Sequence, residues 1–444
     1  MTRQCPYAID PTGMDIHAEA AHLREQGPAT LVTLPGGVTG WVVSGSETIR
    51  RMLVDPRVSK DAYRHWPAWV EGKVGAEWPL AIWVSVQNMI TAYGAEHTRL
   101  RKPVAAAFTS RRVAGMRPRI EQVAEELLDQ LAAVPEGTPV DLREAFAHQL
   151  PTRIVFELFG IPERSWAPLH RIIKGFFDTA ISAEDAQANA ELLYVTMADL
   201  IAYRREHPGD DMTTALISAR DESLGGGEGA AGLGKGSGPG SGDGDGDGGR
   251  GAALSEKELI DNLILLFTAG YETSVNLICT CILELLRNPA QLRLVRDGLA
   301  SWEDVVEEAL RMEPPATYAL LRFAVEDIEV GEGEQRVVIP KGDPIVISFA
   351  SAGRDPQVHG PDADRFDVTR ATRGEHLSFG HGTHYCLGAT LARLECAVGV
   401  QLLFDRFPDL ELADAPEALP RVESFISNGL RKLPVRLRAE RRVG

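Results

Sequence analysis

A ten-residue stretch, Phe379-Gly380-His381-Gly382-Thr383-His384-Tyr385-Cys386-Leu387-Gly388, constrains this chain more than any other. Two glycines in alternation give a tight, permissive backbone ahead of a single cysteine, and Gly388 allows close backbone approach just after it. Residues 389–407 then turn helical. Leu391, Leu394, Val398, Leu402 and Phe404 make an apolar stripe that Arg393 and Glu395 interrupt. Cys386 therefore sits at the mouth of a long helix, where unpaired N–H groups should lower the pKa of a thiol.

A thiolate so placed can be a nucleophile, a metal ligand or a thiol buried by chance. Nucleophilic use needs a base, and His384, two residues away on a loop, is awkwardly spaced for one. The other cysteines (Cys5, Cys279, Cys281 and Cys396) offer no CxxC pair for zinc. A glycine-rich loop ending in one cysteine suits a large flat cofactor coordinated by a single sulfur. Such ligation of haem iron favours O–O cleavage.

Elsewhere, Ser255-Glu256-Lys257-Glu258 reads as a capping box. The helix it opens runs through Ile260, Leu263, Ile264, Phe267, Ile278 and Leu286 and stops before Asn288-Pro289. Thirty residues at about 1.5 Å each cross a whole domain. A helix apolar on nearly every face must lie inside. Its middle reads Ala269-Gly270-Tyr271-Glu272-Thr273. Gly270 removes bulk so that a flat group can approach. The Thr273 hydroxyl can disturb the helix ladder. Glu272 is costly in a buried helix unless it is paired or handles protons. A packing role alone explains the glycine but not the adjacent acid and alcohol.

The loop matches, without a gap, the Phe-Gly-x-Gly-x-His-x-Cys-x-Gly haem-binding loop of the cytochrome P450 family, and the chain resembles that family over most of its length. The resemblance implies a mainly α fold with small β-sheets, in one domain over residues 1–444. It implies haem b (iron protoporphyrin IX) with Cys386 as the axial metal ligand, Phe379 packed near the sulfur and His384 reaching a propionate. Ala269–Thr273 is similar to the family's Ala/Gly-Gly-x-Asp/Glu-Thr segment, with Glu in place of the usual Asp. There Thr273 hydrogen-bonds to dioxygen and Glu272 helps deliver protons.

Three further stretches extend the likeness. His97 and Arg101, four apart on one helical face, can both donate to an anion, and they resemble the family's propionate-binding helix. Arg322, in a strand at residues 319–325, stands where relatives supply another propionate donor. Glu308 and Arg311, on a helix capped by Ser301 and Asp304, resemble the ExxR pair that locks the core behind the cysteine loop. Arg365 is the expected third member. For the substrate pocket, the candidates are Val84, Asn88 and Met89 in the loop at 60–92, and Phe176 and Phe177 in a segment that could act as a lid. Ala269, Thr317 and Ile426 complete the set, the last on the turn at 425–429.

Residues 30–43 read as a hairpin and 30–60 as part of a small N-terminal β-rich lobe. Helices are expected at 120–131, 146–159 and 191–205. Trp66, Trp69, Trp78 and Trp83 anchor the 60–92 loop to the body or line a pocket. Arg99, Lys102, Arg111 and Arg112 form a basic cluster: a solvated face, or a docking patch for an acidic electron carrier. Residues 225–251 hold fifteen glycines in twenty-seven positions, a composition that cannot bury a core and predicts a flexible insert. Within it Lys235 is followed by glycine where a phosphate loop needs Ser or Thr. The calcium-like Asp243, Asp245, Asp247 and Gly248 lack a glutamate at the twelfth position, Leu254.

A net charge of −17 without a long basic tract argues against nucleic acid. Five cysteines fit a reducing compartment. The first ten residues contain no apolar run, and the most apolar stretch of the long helix, 263–267, is too short to span a bilayer. These features predict a cytoplasmic monomer without a membrane anchor. The resemblance implies a monooxygenase that hydroxylates or epoxidises an apolar secondary metabolite such as a macrolide, steroid or terpenoid. Electrons would come from NAD(P)H through a ferredoxin and a ferredoxin reductase, because neither a flavin fingerprint nor an iron–sulfur cysteine set is present. A peroxide-driven relative would carry Arg–Pro in place of Glu272-Thr273. A non-enzymatic haem sensor is the rival of another class, and the acid–alcohol pair disfavours it.

Overall fold

Ser255 starts the helix on which the fold is built. In the computed structural model of the protein, which describes residues 5–75, 77–169, 172, 183–225 and 254–437, Ser255 Oγ accepts from the Glu258 N–H while the Glu258 carboxylate accepts from the Ser255 N–H. The reciprocal cap satisfies two otherwise orphaned donors. The helix continues over Glu256–Arg287, 32 residues, and ends at Asn288 ahead of Pro289. By length and composition the whole helix could cross a membrane, although its most apolar stretch, 263–267, is too short to do so. Yet 56% of its most apolar window is buried inside the protein. It is a core helix.

Around it pack Gln149–Leu158, Trp302–Met312 and Ala389–Arg406, and Arg117–Ala132 packs on the first and last of these, all joined in one continuous apolar cluster. Phe267 of the central helix stacks on Phe156 at 5.5 Å between ring centroids and meets Phe159 edge-on, geometries that suit aromatic quadrupoles. Ala183–Glu206 starts earlier than its amphipathic pattern indicated. The predicted helix at 146–159 begins with a π-helical turn, Arg143–Ala147, before Gln149–Leu158. That irregular turn carries Arg143 inward.

The sheets are small. The largest has six strands in the order Tyr7–Ala8, Ala29–Thr33, Thr39–Val43, Pro344–Ser348, Tyr318–Ala324 and Val58–Ser59. The hairpin at 30–43 forms as read, with Leu31 opposite Trp41. The lobe is nevertheless not N-terminal alone, since two of its strands come from residues 318–348. A register shift between Ala319 and Arg322 interrupts the pairing with Pro344–Ser348, and such bulges re-aim side chains. Trp66 and Trp78 are buried, with Trp66 stacked against Trp69 and Phe323. These tryptophans anchor the 60–92 loop; Trp83 alone of the four is exposed. Nearly all of the glycine-rich insert, together with Phe176, Phe177 and the lid segment, lies outside the described residues.

Candidate active site

The cysteine loop folds as its glycines require. Gly380 and Gly382 take φ of 75° and 71°, a region that side chains with a Cβ rarely adopt. A Cβ at Gly382 would also lie 2.8 Å from Val54 Cγ1. The Cys386 N–H donates to the Phe379 carbonyl at 2.8 Å, which closes the loop. The Arg393 guanidinium sits 4.5 Å from the centroid of the Phe379 ring. Glu307 grips Arg393 and, at 3.1 Å, His376. Gly388 has an ordinary right-handed conformation, and a Cβ there would lie 3.9 Å from Cys386 Sγ. Its contribution is an N–H aimed at the sulfur.

The expected lowering of the Cys386 pKa is not what the surroundings produce. Cys386 keeps solvent-reachable surface, but the protein packed around it pushes the thiol up. N–H groups of Gly388 and Ala389, with Arg101 and Arg393, offset this only in part. Helix-end dipoles fall off within a turn, while desolvation penalises the whole anion. A thiol in this position ionises outright when it coordinates a cation.

His97 and Arg101 lie on Ala95–Ala107, and the His97 ring centroid lies 4.1 Å from that of His384, the rings tilted by 48°. Burial, then Lys60, His97, Arg322 and Arg101, hold the His384 pKa down to about 2, so these five groups share one neighbourhood. Arg322 is 6% exposed, yet its Nη1 has no partner, and neither has the buried Nε2 of His97. Burial alone draws the Arg322 pKa down to about 10. Among the described residues no carboxylate pairs with Arg101 or Arg322. Buried cations and orphaned donors in one place demand an anion, and a cofactor carrying two carboxylates fits.

The central helix has one open stripe. Ala269, Gly270 and Thr273 are exposed in the middle of a helix whose other faces are largely buried. A Cβ built on Gly270 meets no atom within 4 Å, so a flat group can lie against the helix there. Thr273 Oγ1 donates to the Ala269 carbonyl at 2.9 Å, which leaves its lone pairs directed to the open side. Glu272 turns the other way. Arg143 Nη2 donates to Glu272 Oε1 at 2.6 Å and Nη1 to Asn276 Oδ1 at 3.0 Å. Asn276 in turn donates to Ser427 Oγ at 3.2 Å, beside Ile426. Burial raises the Glu272 pKa, and Arg143 opposes that rise. Sequence reasoning missed Arg143; the only signal was a charged residue just before an apolar helical pattern.

Glu308 and Arg311 pair at 2.7 Å through two parallel bonds, both fully buried. Arg311 also donates to the carbonyls of Gly353 and Ala363. The third guanidinium is Arg370, whose Nε reaches Glu308 Oε1 at 3.3 Å. Arg365 is exposed and contributes only its carbonyl, to Arg311 Nη2 at 3.0 Å.

The pocket residues divide. Ala269 is open and Ile426 half-buried. Val84 is 2% exposed inside the tryptophan cluster, and Thr317 is fully buried with its hydroxyl donating to the Phe425 carbonyl. Asn88 caps its own turn, accepting from the Ile90 N–H at 3.0 Å, and Met89 is packed in the main core. All four are buried against the protein itself, and beside Val84, Asn88 and Met89 the exposed apolar side chains are Ile82, Trp83 and Ile90. The basic cluster likewise dissolves in part: Arg99 is held by Glu96 and Glu258, and Arg112 by Asp210.

A family model described as Cytochrome P450 matches residues 241–417. The chain is 43% identical over 434 residues to the 2-hydroxy-5-methyl-1-naphthoate 7-hydroxylase of Streptomyces carzinostaticus, covering 98% of each. It is 37% identical over 439 residues to the 6-deoxyerythronolide B hydroxylase of Saccharopolyspora erythraea, covering 96% of this chain and 97% of that one. Among solved structures it superposes on CYP154A1 of Streptomyces coelicolor A3(2) with a TM-score of 0.84 at 46% identity, covering 97% and 100%.

Proposed function

The chain belongs to the cytochrome P450 family, and on that footing we propose that it hydroxylates or epoxidises an apolar secondary metabolite such as a macrolide, steroid or terpenoid in the cytoplasm. Electrons come from NAD(P)H through a ferredoxin and its reductase, the route used by bacterial P450s of this type. The observation that carries the reading is the open stripe of Ala269, Gly270 and Thr273 beside the buried Glu272. Support for the substrate class comes from relatives named for hydroxylating a naphthoate and 6-deoxyerythronolide B.

Haem b bound through a thiolate supplies one-electron and O–O cleavage chemistry. Cys386 is the ligand, with Phe379 and the N–H groups of Gly388 and Ala389 around its sulfur. His97, Arg101, Arg322 and His384 hold the propionates. Gly270 lets the ring approach the helix. Thr273 orients a hydrogen bond on the open side, and Glu272 exchanges protons with it through water. Phe176, Phe177, Ala269 and Ile426 are the substrate contacts in this reading. Reconstitution with a ferredoxin and reductase, fed an extract of the producing organism's apolar metabolites, tests it. Products heavier by one oxygen are expected. NAD(P)H oxidation with no such product would sink the reading.

A further inference from the structure

We infer that Lys60 is a fifth residue gripping the cofactor's propionates, set across the sheet from Arg322. The inference rests on the haem reading above and deepens it. Val58 pairs with Ala324 and Ser59 with Phe323 in antiparallel register. Continued by one residue, that register sets Lys60 opposite Arg322. Residues directly opposite on antiparallel strands point to the same face, and like charges there repel.

Both are buried: Lys60 is 7% exposed and Arg322 6%. Lys60 Nζ donates to the Leu320 carbonyl at 2.9 Å, which uses one of its three N–H bonds. Among the described residues no carboxylate pairs with it. Burial first, and Arg322 second, draw its pKa well down. Two buried cations side by side, one of them with an orphaned nitrogen, are unfavourable unless an anion lies between them. His97, Arg101 and His384 belong to other elements of the same site, and the pairing of the Arg322 strand with Pro344–Ser348 is interrupted between Ala319 and Arg322. Lys60 completes the ring from the edge strand.

The test follows haem transfer from the holoenzyme to excess apomyoglobin, in wild type, Lys60→Met, Lys60→Gln and Lys60→Arg. Loss from the Met and Gln variants should be about tenfold faster, the equivalent of one charge-assisted hydrogen bond. Lys60→Arg should restore most of the retention, because it keeps the charge. The Soret position of the reduced CO complex should not move in any of them. Gln keeps a donor for the Leu320 carbonyl, so it remains informative if Met folds poorly. Wild-type retention in both neutral variants would overturn the assignment. So would equal losses in Gln and Arg variants accompanied by equal drops in melting temperature, the mark of a backbone anchor alone. A wild-type chain that shows no thiolate-type spectrum with haem would instead overturn the haem reading, and Lys60 with it.

Discussion

Arg143 Nη2 lies 2.6 Å from Glu272 Oε1, and the two side chains are 10% and 12% exposed. The acid of the central helix is therefore tethered away from the open stripe that holds Thr273. Through Asn276 and Ser427 the same guanidinium is linked to the turn that carries Ile426. A proton relay through Glu272 must work against this tether, which sets both its charge and its direction.

Arg143→Met should leave Glu272 buried without its counter-cation. The Glu272 pKa, already raised by burial, then rises further, because the opposing influence is gone. The acid limb of the pH profile of product per NAD(P)H should move to higher pH. Stability should fall by about 3 kcal/mol, and adding Glu272→Gln should recover much of it. A profile that stays in place in the single variant would show that Glu272 does not titrate in the rate-determining steps.

Cys386→Ala should abolish the strongly red-shifted Soret band of the reduced CO complex. The loop can still close, because the Phe379 carbonyl accepts from a backbone N–H that alanine retains. Survival of that band in the variant would remove Cys386 as the ligand.

Glu308→Ala would strand Arg311, fully buried, without its carboxylate, and would remove an acceptor from Arg370 and the Asp367 N–H. Breaking a buried pair from one side costs about 3–5 kcal/mol. Expression as unfolded or haem-free protein is expected, read by melting and by haem content. Arg365→Ala, by contrast, should be nearly neutral, since only its carbonyl is engaged. A severe loss in that variant would restore the third place to Arg365.

That pair shows what the sequence makes legible. Glu308 and Arg311 are three apart on one helix, and the cysteine loop is a single unbroken stretch, so local spacing carries both. Arg143 and Glu272 are 129 residues apart, and no local pattern announces their meeting. Val84 and Met89 lie one position away from the exposed Trp83 and Ile90. In a loop of short helical turns, phase decides which side chain faces in, and composition does not reveal phase. Arg99 looks like surface charge in the sequence because its partner Glu258 belongs to a helix cap far along the chain.

Acid should loosen the cysteine loop in a defined window. Burial would raise the Glu307 pKa, but hydrogen bonds from His376 and Arg393 outweigh it and hold the value at about 2, below the ordinary 4.5. A carboxyl with a depressed folded-state pKa contributes stability that is fully present above about 4.5. That contribution is lost as pH falls toward 2. At most it amounts to roughly 3 kcal/mol. Glu307→Gln should flatten the pH dependence of melting between those values and loosen Arg393 over Phe379. An unchanged slope in the variant would place the acid sensitivity elsewhere.

Thr273 offers the sharpest separation of a chemical from a packing role. Its side chain is exposed on the open stripe, so it packs against little. Its one hydrogen bond to protein, to the Ala269 carbonyl at 2.9 Å, spends the donor proton and leaves the oxygen free to accept from water. Removing the hydroxyl should thus cost little stability, within about 1 kcal/mol. Bound haem would supply the O–O cleavage chemistry, and Glu272 and Thr273 would hold the water that delivers the proton this consumes. Without that order, NAD(P)H consumption would end in hydrogen peroxide. Thr273→Ala should therefore bind substrate and consume NAD(P)H with its redox partners, while most of that flux appears as peroxide rather than product. Thr273→Ser, which keeps the hydroxyl, should restore coupling. The product-to-NAD(P)H ratio and released peroxide, measured together in the three proteins, decide the matter. Unchanged coupling in Thr273→Ala would take the hydroxyl out of the chemistry and leave Glu272, tethered to Arg143, as a structural ion pair.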